Sequence, residues 1–183
     1  MKELHTERLL LRAFRRTDVR DLYAYASNPH VGPRAGWAPH TGPEMSRDVL
    51  RSLIERGEVW AVVLKETGRV IGSIGLHDDD RRTAPHVRMI GYDLSESYWN
   101  QGLMSEATAA VLGYAFGHLH LDVVSAYCHR DNVASVRVLE KCGFTAEGCL
   151  RRAERMPQDK TVDLLCYSIL KEEYCRAQKE ADG

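Results

Sequence analysis

Apolar positions along this chain fall into runs whose spacing switches between two and nearly four, and the switches mark the elements. Leucines framed by arginines over residues 8–13 predict a strand. Thr17 or Asp18 can cap a helix reaching residue 27, and Asn28-Pro29 ends it, because the residue before proline is pushed out of the helical region. Residues 30–43, rich in Gly and Pro and containing Trp37 and His40, form a loop long enough to be functional. A second helix over 44–56 stops at Gly57, and strands over 59–64 and 70–76 make a hairpin around Thr67-Gly68. A polar turn over 78–85 leads to a strand over 87–94, where Gly91 marks a bulge or a close approach of a ligand. A long apolar helix over 103–117 and a strand over 123–128 follow, a crossover that makes the two flanking strands parallel. Asn132 caps a helix to residue 141, Gly143 ends it, and strands over 145–153 and 162–170 close the sheet. The last dozen residues are charged and read as a helical or frayed tail. No repeat or linker interrupts the pattern, so 1–183 reads as a single domain with 171–183 as its tail.

The stretch Tyr98-Trp99-Asn100-Gln101-Gly102-Leu103-Met104-Ser105-Glu106-Ala107 carries the clearest chemistry. A strand that runs through a Gly turn into a helix aims backbone N–H groups at one point, and the helix dipole adds about half a positive charge there. That arrangement suits phosphate. A P-loop would need a Lys after the glycine, and none follows Gly102. A dinucleotide fold would need G-x-G-x-x-G, and one glycine is present. The pyrophosphate of coenzyme A is the third reading.

Here the residues resemble a known family. Trp99-x-x-Gly102-x-Met104 is similar to the Q/R-x-x-G-x-G/A turn of the GNAT N-acetyltransferases, matching at the central Gly and departing at both ends. Trp at the first position resembles the RimJ/RimL branch, the ribosomal-protein N-acetyltransferases and their relatives. Asn132-x-x-Ser135 followed by Glu140-Lys141-Cys142-Gly143-Phe144 resembles that branch closely, as do the first strand at Thr6-Glu7-Arg8-Leu9 and the last at Asp163-Leu164-Leu165. The resemblance covers about residues 6 to 170. It implies an α/β (α+β) GNAT fold: a mixed, mostly antiparallel sheet with one splayed parallel strand pair, flanked by helices.

The resemblance also implies acetyl-CoA as cosubstrate, held around Leu94, Gln101, Gly102, Leu103, Met104, Ser105, Glu106, Asn132 and Ser135. Glu96, in a Glu-Ser-aromatic segment like that of the branch, is the base candidate, directly or through water. Ser135 is the candidate to protonate the leaving thiolate, since Leu139 stands where many GNAT enzymes carry a Tyr. A Ser in the first turn of a helix can equally be a structural partner of backbone N–H groups. Backbone amides near Gly91 could polarise the thioester carbonyl. Trp37, His40, Tyr92, Asp163 and Tyr167 border the acceptor side. The acceptor implied is a primary amine, a ribosomal-protein or other protein N-terminal α-amine. A polyamine, aminoglycoside or amino sugar is the alternative, and a CoA-binding sensor without turnover is a second one.

Composition narrows these readings. The chain has 183 residues, 44% hydrophobic and 28% charged, which suits one core of ordinary globular composition. A net charge of -1 leaves no basic footprint for nucleic acid. No apolar run reaches a membrane span, and the first residues are polar, so a cytoplasmic protein is expected, with no membrane partner. The five cysteines form no C-x-x-C pair, which fits reduced thiols. His77-Asp78-Asp79-Asp80 and His86 read as a solvated acidic turn rather than a metal site, and no metal is expected. Asp78, Asp79, Asp80 and Glu96 would attract a polycation if they faced the cleft. Monomer and homodimer both remain open.

Overall fold

The computed structural model describes residues 1–156 and 161–181. Eight strands form one sheet: β1 (Leu4–His5), β2 (Leu9–Ala13), β3 (Val59–Leu64), β4 (Arg69–His77), β5 (Val87–Leu94), β6 (Val123–His129), β7 (Thr145–Arg155) and β8 (Thr161–Leu170). Their order is β1-β2-β3-β4-β5-β6-β8-β7. The pair β5·β6 is parallel, Val87 with Val123 through Met89 with Ser125, as the crossover requires. The helices are α1 (Val19–Ala26), α2 (Pro43–Arg56), α3 (Leu103–Gly117), α4 (Val133–Lys141) and α5 (Lys171–Ala181). This is the mixed, mostly antiparallel sheet with one parallel pair and accompanying helices that the resemblance implies. By contacts the chain divides into two compact units, Met1–Leu76 with Gly91–Ala110, and His77–Ile90 with Val111–Gly183.

In the first unit, β2, β3 and β4 are antiparallel neighbours. β3, Val-Trp-Ala-Val-Val-Leu, is buried at every position. Leu22, Tyr25 and Ala26 of α1 and Leu50 of α2 pack with Val59, Ala61, Val63 and Val70 into one apolar cluster. α2 stops where the sequence places its end, at Gly57, whose φ of 65° is left-handed and whose N–H donates to Leu53 C=O. Asp18 does not cap α1 through its side chain. Its carboxylate instead accepts two bonds from Arg12, at 2.7 and 2.8 Å, and one from the Arg15 N–H at 2.7 Å. Gly72 marks a close approach that the sequence reading did not flag: a Cβ there would lie 2.3 Å from the Asp93 carbonyl oxygen.

In the second unit, β6, β8 and β7 are antiparallel, and β8 keeps an unbroken register with β6 from Leu164 to Leu170. β7 extends to Arg155 and carries irregularities at Ala146/Gly148 and Leu150/Glu154. Asn132 caps α4 through its side chain, accepting from the Ser135 N–H at 3.2 Å. Gly143, at φ 84°, follows the helix end. The charged tail is helical over Lys171–Ala181. Asp79 departs from the solvated turn expected of it. It is buried, accepting from the Tyr127 hydroxyl at 3.0 Å and the Arg81 N–H at 2.9 Å, and from Ser125. Its charge is thus spent inside the unit, while Asp78, exposed and paired with Arg88 at 3.1 Å, and exposed Asp80 keep the outward position expected for an acidic turn.

Candidate active site

The strand-to-helix turn is built from short-range ties. After β5, the Ser95 N–H donates to Ile71 C=O at 2.7 Å, and a single 3-10 turn covers Glu96–Tyr98. Trp99 donates its indole N–H back to Leu94 C=O at 2.7 Å, while the Arg34 guanidinium sits 5.0 Å above its ring. Asn100 at φ 59° and Gly102 at φ 75° then turn the chain sharply into α3. The first helical bond runs from the Glu106 N–H to Gly102 C=O at 3.0 Å. The amides of Leu103 and Met104 precede it and, by helix geometry, have no acceptor within α3.

What these residues offer a ligand is backbone. The Leu103 and Met104 side chains are buried in the core, and so is Leu94. Gln101 spends its amide on Ser97 C=O at 3.0 Å, and its own carbonyl accepts from Arg8 at 3.0 Å. Glu106, expected beside the cofactor, turns its carboxylate to the first strand: it accepts from Thr6 Oγ1 at 2.5 Å, from the Arg8 N–H at 2.8 Å and from Arg8 Nε at 2.7 Å. Burial acts to raise its pKa, and these bonds more than offset that, leaving the carboxyl below its usual range. Glu106 therefore anchors the turn through an ion pair with Arg8, at 2.7 Å.

Glu96 is held at both oxygens. Asn28 Nδ2 donates to Oε2 at 2.7 Å, and His30 Nδ1 lies 2.9 Å from Oε1. The bond from Asn28, then that from His30, hold its carboxyl below the ordinary glutamate range, with Arg34 adding to the effect. A carboxylate so stabilised is a weak base. Asn28 and His30 entered the sequence reading only as a helix end and a loop border. The signal was local in one respect only, since Asn28-Pro29 ends α1 and so fixes where both side chains start.

The loop after them is packed. Trp37 lies over Gly32, where a Cβ would meet its ring at 2.5 Å, and its ring centroid is 5.5 Å from that of His40. His40 is buried, with Nδ1 2.8 Å from Ser46 Oγ, and burial lowers its pKa. Both side chains thus hold the loop to the core. Tyr92, by contrast, is half-buried on β5.

Its neighbour Asp93 is strongly perturbed, as is its partner Tyr25, whose hydroxyl is pushed well above its ordinary range by burial and by Asp93. The carboxylate accepts from the Ser73 N–H at 3.1 Å and Ser73 Oγ at 2.7 Å, and it is hydrogen bonded to Tyr25. Burial nonetheless pushes it up to about 6. The folded state then binds the Asp93 proton more tightly than the unfolded chain does. Its contribution to stability is full below the unfolded value and is lost as pH rises through about 6. Between pH 7 and pH 5 the wild type should therefore gain roughly 1 kcal/mol over an Asp93→Asn variant. Urea midpoints at the two pH values test this, and parallel shifts in both proteins would rule it out.

In the second unit, Ser135 lies in the first turn of α4, half-buried, and its side chain is hydrogen bonded to the Cys128 thiol. Tyr167 is buried on β8 opposite Ala126 and Ala146. Asp163 stands four residues earlier on the same strand face. Its carboxylate accepts from the Arg152 N–H at 2.9 Å and lies 3.7 Å from Arg130. All five cysteines are free. Burial raises the thiols of Cys128 and Cys166 and pushes that of Cys142 up to about 11, which keeps all three protonated near neutral pH.

Comparison with known proteins agrees with this architecture. A family model described as an acetyltransferase (GNAT) domain matches residues 8–145. An uncharacterized N-acetyltransferase, p20 of Bacillus licheniformis, is 32% identical over 179 residues, covering 95% of this chain and 99% of its own. The crystal structure of a GNAT-family acetyltransferase from Bacillus anthracis superposes with a TM-score of 0.85 at 28% identity, covering 93% of this chain and 99% of that one. A ribosomal-protein-S5-alanine acetyltransferase from Vibrio fischeri shares the fold, with a TM-score of 0.76 at 22% identity over 95% of this chain and 99% of that one.

Proposed function

Because the chain belongs to the GNAT family of acetyltransferases, we propose that it transfers acetyl from acetyl-CoA directly to a primary amine, in a ternary complex. The observation that carries the cosubstrate assignment is the turn at Asn100 and Gly102, two left-handed positions that send the chain into the amino end of α3. The amides of Leu103 and Met104, with the helix dipole behind them, suit a pyrophosphate. The supporting residues fit that use: Arg8 and Glu106 brace the turn without occupying it. Direct transfer is favoured over an acetyl-cysteine because the buried thiols are held protonated.

Glu96 belongs to the group that takes the amine proton. Ser135 is the proton donor to the departing thiolate, a role that rests on the resemblance of Asn132-x-x-Ser135 and on Leu139 standing where many GNAT enzymes carry a Tyr. An α-amine ionises near ~8 and a lysine amine near ~10.4, so a weak base suits the former. A protein N-terminal α-amine is therefore the proposed acceptor, with a ribosomal protein as one source. The small-molecule amines are the second reading, although the burial of Asp79 weakens the case for a polycation. A screen of peptides, polyamines and aminoglycosides with acetyl-CoA, read by mass spectrometry and by thiol release, decides between them. No release with any amine would favour a CoA-binding sensor.

The cosubstrate assignment has its own test. Gly102→Asp puts a side chain and a negative charge where the pyrophosphate would approach backbone. CoA affinity measured by calorimetry should fall at least about tenfold, ~1.4 kcal/mol. Unchanged affinity in a variant with wild-type circular dichroism would refute the placement.

A further inference from the structure

The pairing of His30 with Glu96 joins two residues 66 positions apart. An ionised carboxylate can only accept hydrogen bonds. Glu96 is held ionised by Asn28 and His30, and its Oε1 lies 2.9 Å from His30 Nδ1. The hydrogen must therefore sit on Nδ1. In a neutral imidazole one ring nitrogen carries the proton and the other is a bare acceptor. Nδ1 is the donor here, so Nε2 is the acceptor. Asn28 meanwhile fixes the second carboxylate oxygen at 2.7 Å, which locks the plane of the pair. The ring itself is largely exposed, at 64%.

The geometry points to His30 as a catalytic residue: its Nε2 accepts the amine proton, and Glu96 is the positioning residue that fixes its tautomer. The inference rests on the acetyl-transfer reading and reassigns the base within it. The protons balance as follows. The ammonium form of the acceptor gives one proton to His30 Nε2, which passes it to water. The amine lone pair forms the C–N bond to the thioester carbonyl carbon, and the C–S bond breaks with its electron pair on sulfur. The second amine proton is lost from nitrogen to water, the thiolate takes the Ser135 hydroxyl proton, and Ser135 regains a proton from water. The net products are an amide, CoA thiol and one released proton. Glu96 stabilises the imidazolium while it lasts, the role a carboxylate plays behind a histidine base.

Two measurements test this. Thiol release from acetyl-CoA is followed with an alanyl hexapeptide, spermidine and kanamycin. With whichever amine the wild type acetylates, His30→Gln should lower kcat by roughly 10²-fold, with KM moving only a few fold. Nitrogen-15 NMR of the His30 ring should show Nδ1–H in the wild type and a shift toward Nε2–H in Glu96→Gln, where the new amide can donate to Nδ1. A merely structural contact would not couple that tautomer to turnover. Wild-type kcat in His30→Gln, or Nε2–H in the wild type, overturns the inference while leaving acetyl transfer standing. A wild type that releases no thiol with any of the three amines removes the acetyl-transfer reading, and this inference with it.

Discussion

Glu96→Gln is expected to lower kcat by roughly 10²-fold at neutral pH, as much as His30→Gln, because it leaves the general base in the wrong tautomer. The substitution keeps size and shape. Its carbonyl can still accept from Asn28 Nδ2, where the carboxylate does so at 2.7 Å. Its amide, however, donates toward His30 Nδ1, which then must become the acceptor. The proton moves to Nε2, and a ring protonated there cannot take another without becoming charged beside a neutral partner. The loss should appear in kcat and kcat/KM together, because the group acts on a proton in flight rather than on substrate binding. Much of it should return at high pH, where the amine is already neutral. His30→Gln combined with Glu96→Gln should be little worse than either alone, since the two act as a unit. Wild-type kcat for Glu96→Gln at pH 7, on an amine the wild type acetylates, would mean that another group or bulk water receives the proton.

The split between what the sequence reveals and what it hides follows the range of the interactions. Local signals read true. Gly57 ends α2, Asn132 caps α4, Thr67-Gly68 turns the hairpin, and the apolar run over 103–117 is a helix, because each depends on residues within about one turn. Short elements escaped. β1 has two residues and no period to detect, and the 3-10 turn Glu96–Tyr98 carries no capping side chain. The site escaped more fully for a different reason. Glu106 meets Arg8 across 98 residues, Glu96 meets His30 across 66, and Asp79 meets Tyr127 across 48. Each carboxylate sits in a segment whose local composition suggests solvent or a ligand. Only the fold supplies the cation or hydroxyl that claims it. Motif matching thus finds the residues of a charged site more readily than it finds which of them are already engaged.

The Arg12–Asp18 pair should be the costliest single interaction to break in the first unit. Both side chains are only 7% exposed, and the contact is bidentate, at 2.7 and 2.8 Å. Asp18 also accepts the Arg15 N–H, so it satisfies the backbone at the entry to α1 as well. Arg12→Met leaves a buried carboxylate with one donor, and Asp18→Leu leaves a buried guanidinium. Removing one partner of such a pair typically costs about 3–5 kcal/mol, because the remaining charge is uncompensated. The double variant, by contrast, removes both charges and should recover a good part of that loss. It would still leave the Arg15 N–H without its acceptor, at a cost of about 1–3 kcal/mol. Urea denaturation of the four proteins closes the cycle. The catalytic consequence is separable, since α1 ends at Ala26 and carries Asn28 and His30 just beyond it. Single variants that remain folded at low temperature should keep near-wild-type kcat there while melting far earlier. If Arg12→Met costs less than about 1 kcal/mol, water or another side chain already compensates Asp18, and α1 is held by its apolar face alone.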